Sequence, residues 1–216
     1  MSPPRPGFFV SLEGLDGAGK STQAASLTAA LRSVHRDVVS IREPGGTELG
    51  ELIRTVLLET PLGTAPTPLA EAALFLAARV QLLMEVIAPA LARGAVVVAD
   101  RYLDSSLVYQ GLARGIDPEL ILGLHRLCGA DRLPDLTILL DLPQRRAAER
   151  LGQGLPLDRI EQALAGRESV LREGFWELAR RFPERVVVVD ADRAPELVAR
   201  RCVELVSCRL APAMAP

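Results

Sequence analysis

Residues 14–22 read GLDGAGKST, directly after the apolar run FFVSLE. Gly14, Gly19, Lys20 and Ser21 fill the defining places of the pattern G-x-x-x-x-G-K-[ST]. Glycines here, Gly17 included, let the backbone curl so that successive N–H groups point inward at phosphate oxygens. Leu15, Asp16, Ala18 and Thr22 complete the cradle. The helix that follows adds the partial positive charge of its N-terminus. Lys20 is placed to reach the β- and γ-phosphates, and the Ser21 hydroxyl to ligate Mg²⁺. A glycine-rich turn that merely joins strand to helix is the plain alternative, but the full motif stands in its strand–loop–helix context. The segment is built to hold a nucleoside triphosphate.

A second acid belongs with it. VVVAD, 96–100, is an apolar strand ending in Asp100, the form of the second nucleotide-site motif, whose Asp bonds the Mg²⁺ shell or its waters. Many buried strands end in an Asp that only caps a helix, so this motif draws its weight from the first. Arg101 faces the same rim, and its planar fork suits a bidentate grip on phosphate. Arg42 and Glu43 follow the second strand in REPGGT, 42–47. The Asn-Lys-x-Asp segment that a GTPase uses to recognise its base does not occur. Two arginines at strand ends fit transfer to a second phosphorylated molecule, because they offset the repulsion between two phosphates.

The elements that must position these groups alternate along the chain. Strands are expected at 8–13, 37–43, 95–100, 136–142 and 185–191. Helical patterns lie near 20–33, 48–58, 68–92, 117–128, 144–151, 157–181 and 195–209. Near-continuous apolar strands imply burial on both faces, hence a parallel sheet covered by helices in a three-layer α/β domain. Ligands then gather at the carboxyl ends of the strands. A chain of 216 residues fits one domain, with a core over about 8–210. Its net charge of −2 implies no bulk attraction to nucleic acid or anionic membrane. Charge or proline breaks the apolar runs short of a bilayer span, and MSPPRPG lacks the apolar core of a signal peptide. Cys128, Cys202 and Cys208 lack metal-ligand spacing, and the expectation is a cytoplasmic protein with reduced thiols.

Two stretches suggest an acceptor pocket. Phe75 and Arg79 stand four apart in EAALFLAARVQLL, so a ring and a guanidinium share one helix face. Core packing for the ring and solvent for the arginine is the plain alternative. DRYLDSSLVYQG, 100–111, sets Asp104, Ser105, Ser106, Tyr109 and Gln110 just past the rim arginine.

REPGGT, FLAARVQL (75–82), DRYLDSSLVYQG, ARGID (113–117), PDLTILLD (134–141) and LDRIE (157–161), together with the phosphate loop, resemble bacterial thymidylate kinase. The resemblance spans about residues 8 to 200. It implies the P-loop kinase fold with a five-stranded parallel sheet, a homodimer, and Mg²⁺-dependent transfer of the γ-phosphoryl of ATP to dTMP, giving dTDP and ADP in dTTP synthesis. By the same resemblance, Phe75 stacks on thymine, Arg79 hydrogen-bonds its carbonyl edge, Ser106 and Gln110 help to recognise the ring, and Arg54 lies against the base. Tyr109 sits under the deoxyribose where a 2′-hydroxyl would clash, and Asp16 bonds the 3′-hydroxyl. Arg42 and Arg101 address the acceptor phosphate, with Glu43 and Asp100 near the metal and its waters.

This chain departs from the pattern at one place. Similar enzymes draw an arginine for the transferring phosphate from the phosphate loop or from an arginine-rich mobile lid. The loop here has none, and the expected lid, about 144–157, carries Gly152, Gln153 and Gly154 where basic residues could stand. Either Arg150, alone or with Arg145 or Arg146, closes onto the phosphates, or the lid is depleted and turnover is slow. Rivals on the same fold are a deoxynucleoside kinase and a kinase for another nucleoside monophosphate. A nucleotide-binding protein without turnover is the rival from another class.

Overall fold

The computed structural model describes residues 7–34, 37–151 and 157–211. Both termini and Gly152, Gln153 and Gly154 of the expected lid lie outside these. Five parallel strands form one sheet in the order β2-β3-β1-β4-β5: β1 (Phe8–Glu13), β2 (Val38–Arg42), β3 (Val96–Asp100), β4 (Leu136–Asp141) and β5 (Val186–Asp190). All five expected strands form, each within a residue of its expected ends. β1 is central, flanked by β3 and β4. The alternation along β3 divides the core as a period of two requires: Val96 and Val98 join one apolar cluster, Val97 and Ala99 the other.

Helices cover both faces. α1 (Lys20–Ser33), α9 (Glu168–Arg181) and α10 (Pro195–Leu210) contribute to the first cluster. α3 (Pro68–Leu82) and α6 (Pro118–Leu127) contribute to the second. α2 (Glu48–Glu59) starts where the Thr47 hydroxyl accepts the Gly50 N–H at 2.9 Å. Asp117 caps α6 in the same way.

Three expectations need correction. The helix drawn over 157–181 is two, α8 (Arg159–Ala163) and α9, separated by a turn through Gly166 at φ 83°. DRYLDSSLVYQG is largely helical: α5 (Leu103–Ser106) runs into a π-helical stretch, Leu107–Ala113. Its polar residues hide this, because they face the interior and not solvent. The third concerns the apolar runs, expected to stop short of a bilayer span: over the expected helical range 68–92, α3 continues through a π-helical turn, Leu83–Ile87, into α4 (Ala88–Ala92). The resulting 25-residue stretch has a mean hydropathy of 1.7 in its most apolar window, enough by length and composition to cross a membrane. It is a core helix, held to the domain by buried Glu71, Arg79, Leu82 and Ile87.

The topology brings the carboxyl ends of β1, β2 and β3 side by side, with Leu12 and Arg42 in register with Asp100. Beneath this rim a buried polar chain ties the sheet to α5. Ser11 Oγ lies 3.0 Å from Thr137 Oγ1, which donates to Asp104 at 2.9 Å, and Arg185 grips Asp104 at 2.6 and 2.9 Å.

Candidate active site

The loop after β1 turns at Gly14, whose φ of 139° favours glycine and where a Cβ would meet the Leu140 carbonyl oxygen at 2.5 Å. Gly19, at φ 92°, starts α1. Lys20 Nζ donates to the Leu15 carbonyl at 2.8 Å and approaches Asp16 at 3.4 Å. Its ammonium therefore lies across the loop, where phosphates would meet it. Burial, with Arg101 close by, lowers its pKa. Ser21 Oγ donates to Asp100 at 2.5 Å. A hydroxyl and a carboxylate at the start of a helix are a hard-oxygen set that suits Mg²⁺ shared with phosphate oxygens. Among the described residues, no three His, Cys, Asp or Glu side chains are grouped to hold a metal by themselves.

Arg101 is the hub. Its backbone is left-handed, φ 68°, at a cost of about 1–2 kcal/mol for a residue with a Cβ. Its N–H still bonds Leu12 at the strand end, at 3.0 Å. The guanidinium donates to Asp16, to Ser105 Oγ at 2.8 Å and to the Tyr109 hydroxyl at 3.1 Å. Tyr109 in turn donates to Asp16 at 2.8 Å. Burial alone would raise the Asp16 carboxyl, but Arg101, then Lys20, hold it well below the usual carboxylate range. Behind them, fully buried Glu13 accepts the Tyr102 N–H at 2.7 Å and the Ser105 hydroxyl at 2.6 Å. Burial, and then nearby Asp104, push its carboxyl up to about 8.

The other half of the site is built on α3. Arg79 is not solvated: it is 1% exposed and donates to Glu43 at 2.7 Å, Ser106 at 3.0 Å and His125 Nε2 at 2.9 Å. Phe75, one turn earlier, is half-buried. Gln110 donates to Glu71 at 3.0 Å. Arg54 reaches the Pro44 carbonyl at 2.8 Å, and Arg42 pairs with Glu51 at 2.8 Å.

One cavity of about 780 Å³, within the range of ligand pockets, joins the two halves. Every residue that the sequence proposes for the site lines it except Gly14 and Leu15, which shape the loop from behind, and Asp104, which lies in the buried polar chain beneath the rim. Arg150 lines it too, donating to the Gly17 carbonyl at 3.4 Å and to Ala191 at 3.2 Å. Arg145 and Arg146 pair instead with Glu149, and Arg146 also with Asp192. The sequence reading missed Glu13, Glu71, His125 and Arg159. A carboxylate at the end of an apolar strand, and another one turn before Phe75, were the available signals.

A family profile described as Thymidylate kinase matches residues 12–202. Thymidylate kinase of Pelotomaculum thermopropionicum is 45% identical over 193 residues, 89% of each chain. That of Leifsonia xyli subsp. xyli is 45% identical over 207 residues, 95% of each. The crystal structure of thymidylate kinase from Ehrlichia chaffeensis superposes with a TM-score of 0.74 at 29% identity, over 94% of this chain and 99% of that one.

His125 supplies a test of this packing. Arg79 offers only N–H, so Nε2 accepts and Nδ1–H donates to Ile121 at 2.7 Å. Burial, then the Arg79 charge, lower its pKa from 6.5 to about 4. Between those values the unfolded chain binds more protons, so stability falls as pH drops from 6.5 through 4, by up to about 3 kcal/mol. His125→Gln, whose amide oxygen can still accept from Arg79, should flatten that acid limb in urea titrations across this pH range. An unchanged limb would assign the loss to other groups.

Proposed function

The chain belongs to the thymidylate kinase family, and we propose how its own residues carry out that family's reaction. It is an ATP-dependent phosphotransferase of nucleotide biosynthesis that phosphorylates dTMP to dTDP. One observation carries the assignment of roles: Arg101 bonds Asp16 in the phosphate loop and, with the same guanidinium, Ser105 and Tyr109 in the segment that faces the acceptor. Donor and acceptor sites thus meet at one cation.

ATP lies with its phosphates over residues 14–22 and against Lys20. Its adenine occupies the part of the cavity lined by Arg150, Ala191, Arg193 and Pro195. Mg²⁺, held by Ser21 and partly through water by Asp100, would neutralise phosphate charge. The dTMP base stacks on Phe75 with its edge toward Arg79, Ser106 and Gln110, and Arg54 lies beside it. Tyr109 underlies the sugar, placed so that a 2′-hydroxyl would clash with its ring, and Asp16 takes the 3′-hydroxyl. Arg42 and Arg101 hold the acceptor phosphate. That phosphate is already an anion near neutral pH, so alignment and charge neutralisation carry the rate and no general base is required. Glu43 and Asp100 organise the site; Glu43 does so by fixing Arg79.

We read residues 8–210 as one catalytic domain with a lid at about 144–157. Arg150 is the lid arginine, a reading supported by its reach to the phosphate loop while Arg145 and Arg146 are tied to surface carboxylates. We also read the protein as a homodimer through α2 and α3, which expose Leu49, Leu52, Val56 and Leu69. Three free cysteines fit a reducing, cytoplasmic setting.

Three measurements test these assignments. ADP release should be fast with dTMP, slower with dUMP, and near absent with thymidine or ribothymidine monophosphate; equal rates with dTMP and thymidine would remove the acceptor-phosphate roles of Arg42 and Arg101. Arg150→Ala should lower kcat at least about tenfold and leave dTMP affinity nearly unchanged, whereas equal turnover would end its role. Light scattering at micromolar concentration should give twice the 23.2 kDa chain mass, and a monomer would dismiss the dimer.

A further inference from the structure

Glu71 has no place in the site as described, yet it is one of the most connected side chains in the protein. It is 1% exposed. Gln110 Nε2 donates to its Oε1 at 3.0 Å, and Arg114 reaches the same oxygen at 3.4 Å. Arg114 and Arg159 both donate to Oε2, at 3.0 and 2.8 Å. Arg159, itself buried, is anchored by the Leu57 carbonyl at 2.5 Å. The carboxylate thus ties α3 to the π-helical stretch 107–113 and to α8. Glu71, Phe75 and Arg79 follow at intervals of four, so one stripe of α3 carries all three. Phe75, Arg79 and Gln110 line the cavity, and Glu71 stands behind Gln110.

This arrangement has a chemical consequence. A carboxylate flanked by two guanidinium groups has only lone pairs to offer. A glutamine amide has one end that donates and one that accepts. Against Glu71, Gln110 must turn its NH₂ inward, which leaves its carbonyl oxygen for the cavity. We propose that Glu71 is a positioning residue that locks the polarity of the Gln110 amide, so that the pocket presents an acceptor to the pyrimidine N3 position and selects bases carrying N3–H. The inference rests on the reading that Gln110 faces the acceptor base. Thymine and uracil carry a proton on N3. Cytosine has a lone pair there, and would bring acceptor against acceptor. Arg79 acts in the same sense at the neighbouring ring position, since a guanidinium meets a carbonyl oxygen well and an amino group badly. Unpaired polar groups in a buried pocket discriminate more strongly than lost contacts do.

The test uses the full chain, with the KM of dTMP and the inhibition constant of dCMP as a competitor. In Glu71→Gln two amides face each other, and Gln110 is free to present either end. The KM of dTMP should rise about tenfold, while dCMP binds as well as before or better and the KM of ATP stays put. A structural role alone would weaken both acceptors alike; that result, or no change in either, overturns the proposal. Gln110→Ala in the same assay separates the two readings: an unchanged dTMP KM would remove Gln110 from the base and the inference with it. Should Glu71→Gln fail to fold, Gln110→Glu sets a second carboxyl against Glu71. Its melting temperature should then fall well below that of Gln110→Ala. Equal melting temperatures would show that no carboxylate faces position 110, against the proposal.

Discussion

Charge taken out of water is the constraint on which the rest of this structure depends. Asp16, Glu43, Glu71 and Asp104 sit partly or wholly beneath the surface, and each is met by a guanidinium. A buried carboxylate without a partner would cost several kcal/mol, so the pairs cannot be dissolved one at a time. They also do more than neutralise one another. Asp16 orients Arg101 and Tyr109, Glu43 orients Arg79, and Glu71 orients Gln110. The groups that face the cavity are held from behind by groups that do not.

This explains why the site is so polar yet so fixed. Arginine, with five N–H groups in a rigid plane, can satisfy a carboxylate on one side and still present donors on another. Arg101 does this between the two halves of the cavity, and its left-handed backbone is the strain accepted to place it there. Glu13 is the exception, since its partners are the Tyr102 N–H and the Ser105 hydroxyl and not a cation. Its pKa rises accordingly. The proposed lid differs in kind. Among the described residues Arg150 bonds only carbonyl oxygens, at 3.2 and 3.4 Å, and we read these as contacts that an arriving phosphate can replace. That suits the role proposed for Arg150 at the transferring phosphate, while Arg145 and Arg146 pair with surface carboxylates.

The amino-acid sequence determined what local chemistry can determine. The phosphate loop is legible because glycine is required at Gly14 and Gly19 and because lysine and serine must follow. All five strands are legible because a parallel sheet covered on both faces leaves near-continuous apolar runs. The cavity-lining residues of the acceptor half were legible through a resemblance, and the cavity does collect them. What the tertiary structure alone decided is which polar residues meet. Glu71 and Arg159 are far apart in the chain, as are Glu13 and Ser105, and Asp104 and Arg185. No periodicity or propensity couples such positions, because their contact follows from strand order and helix placement. The same reason hid the helix at 103–113: its polar residues look solvated until the fold supplies buried partners for them. Sequence specified the groups that line the cavity; the fold specified the groups that hold those in place.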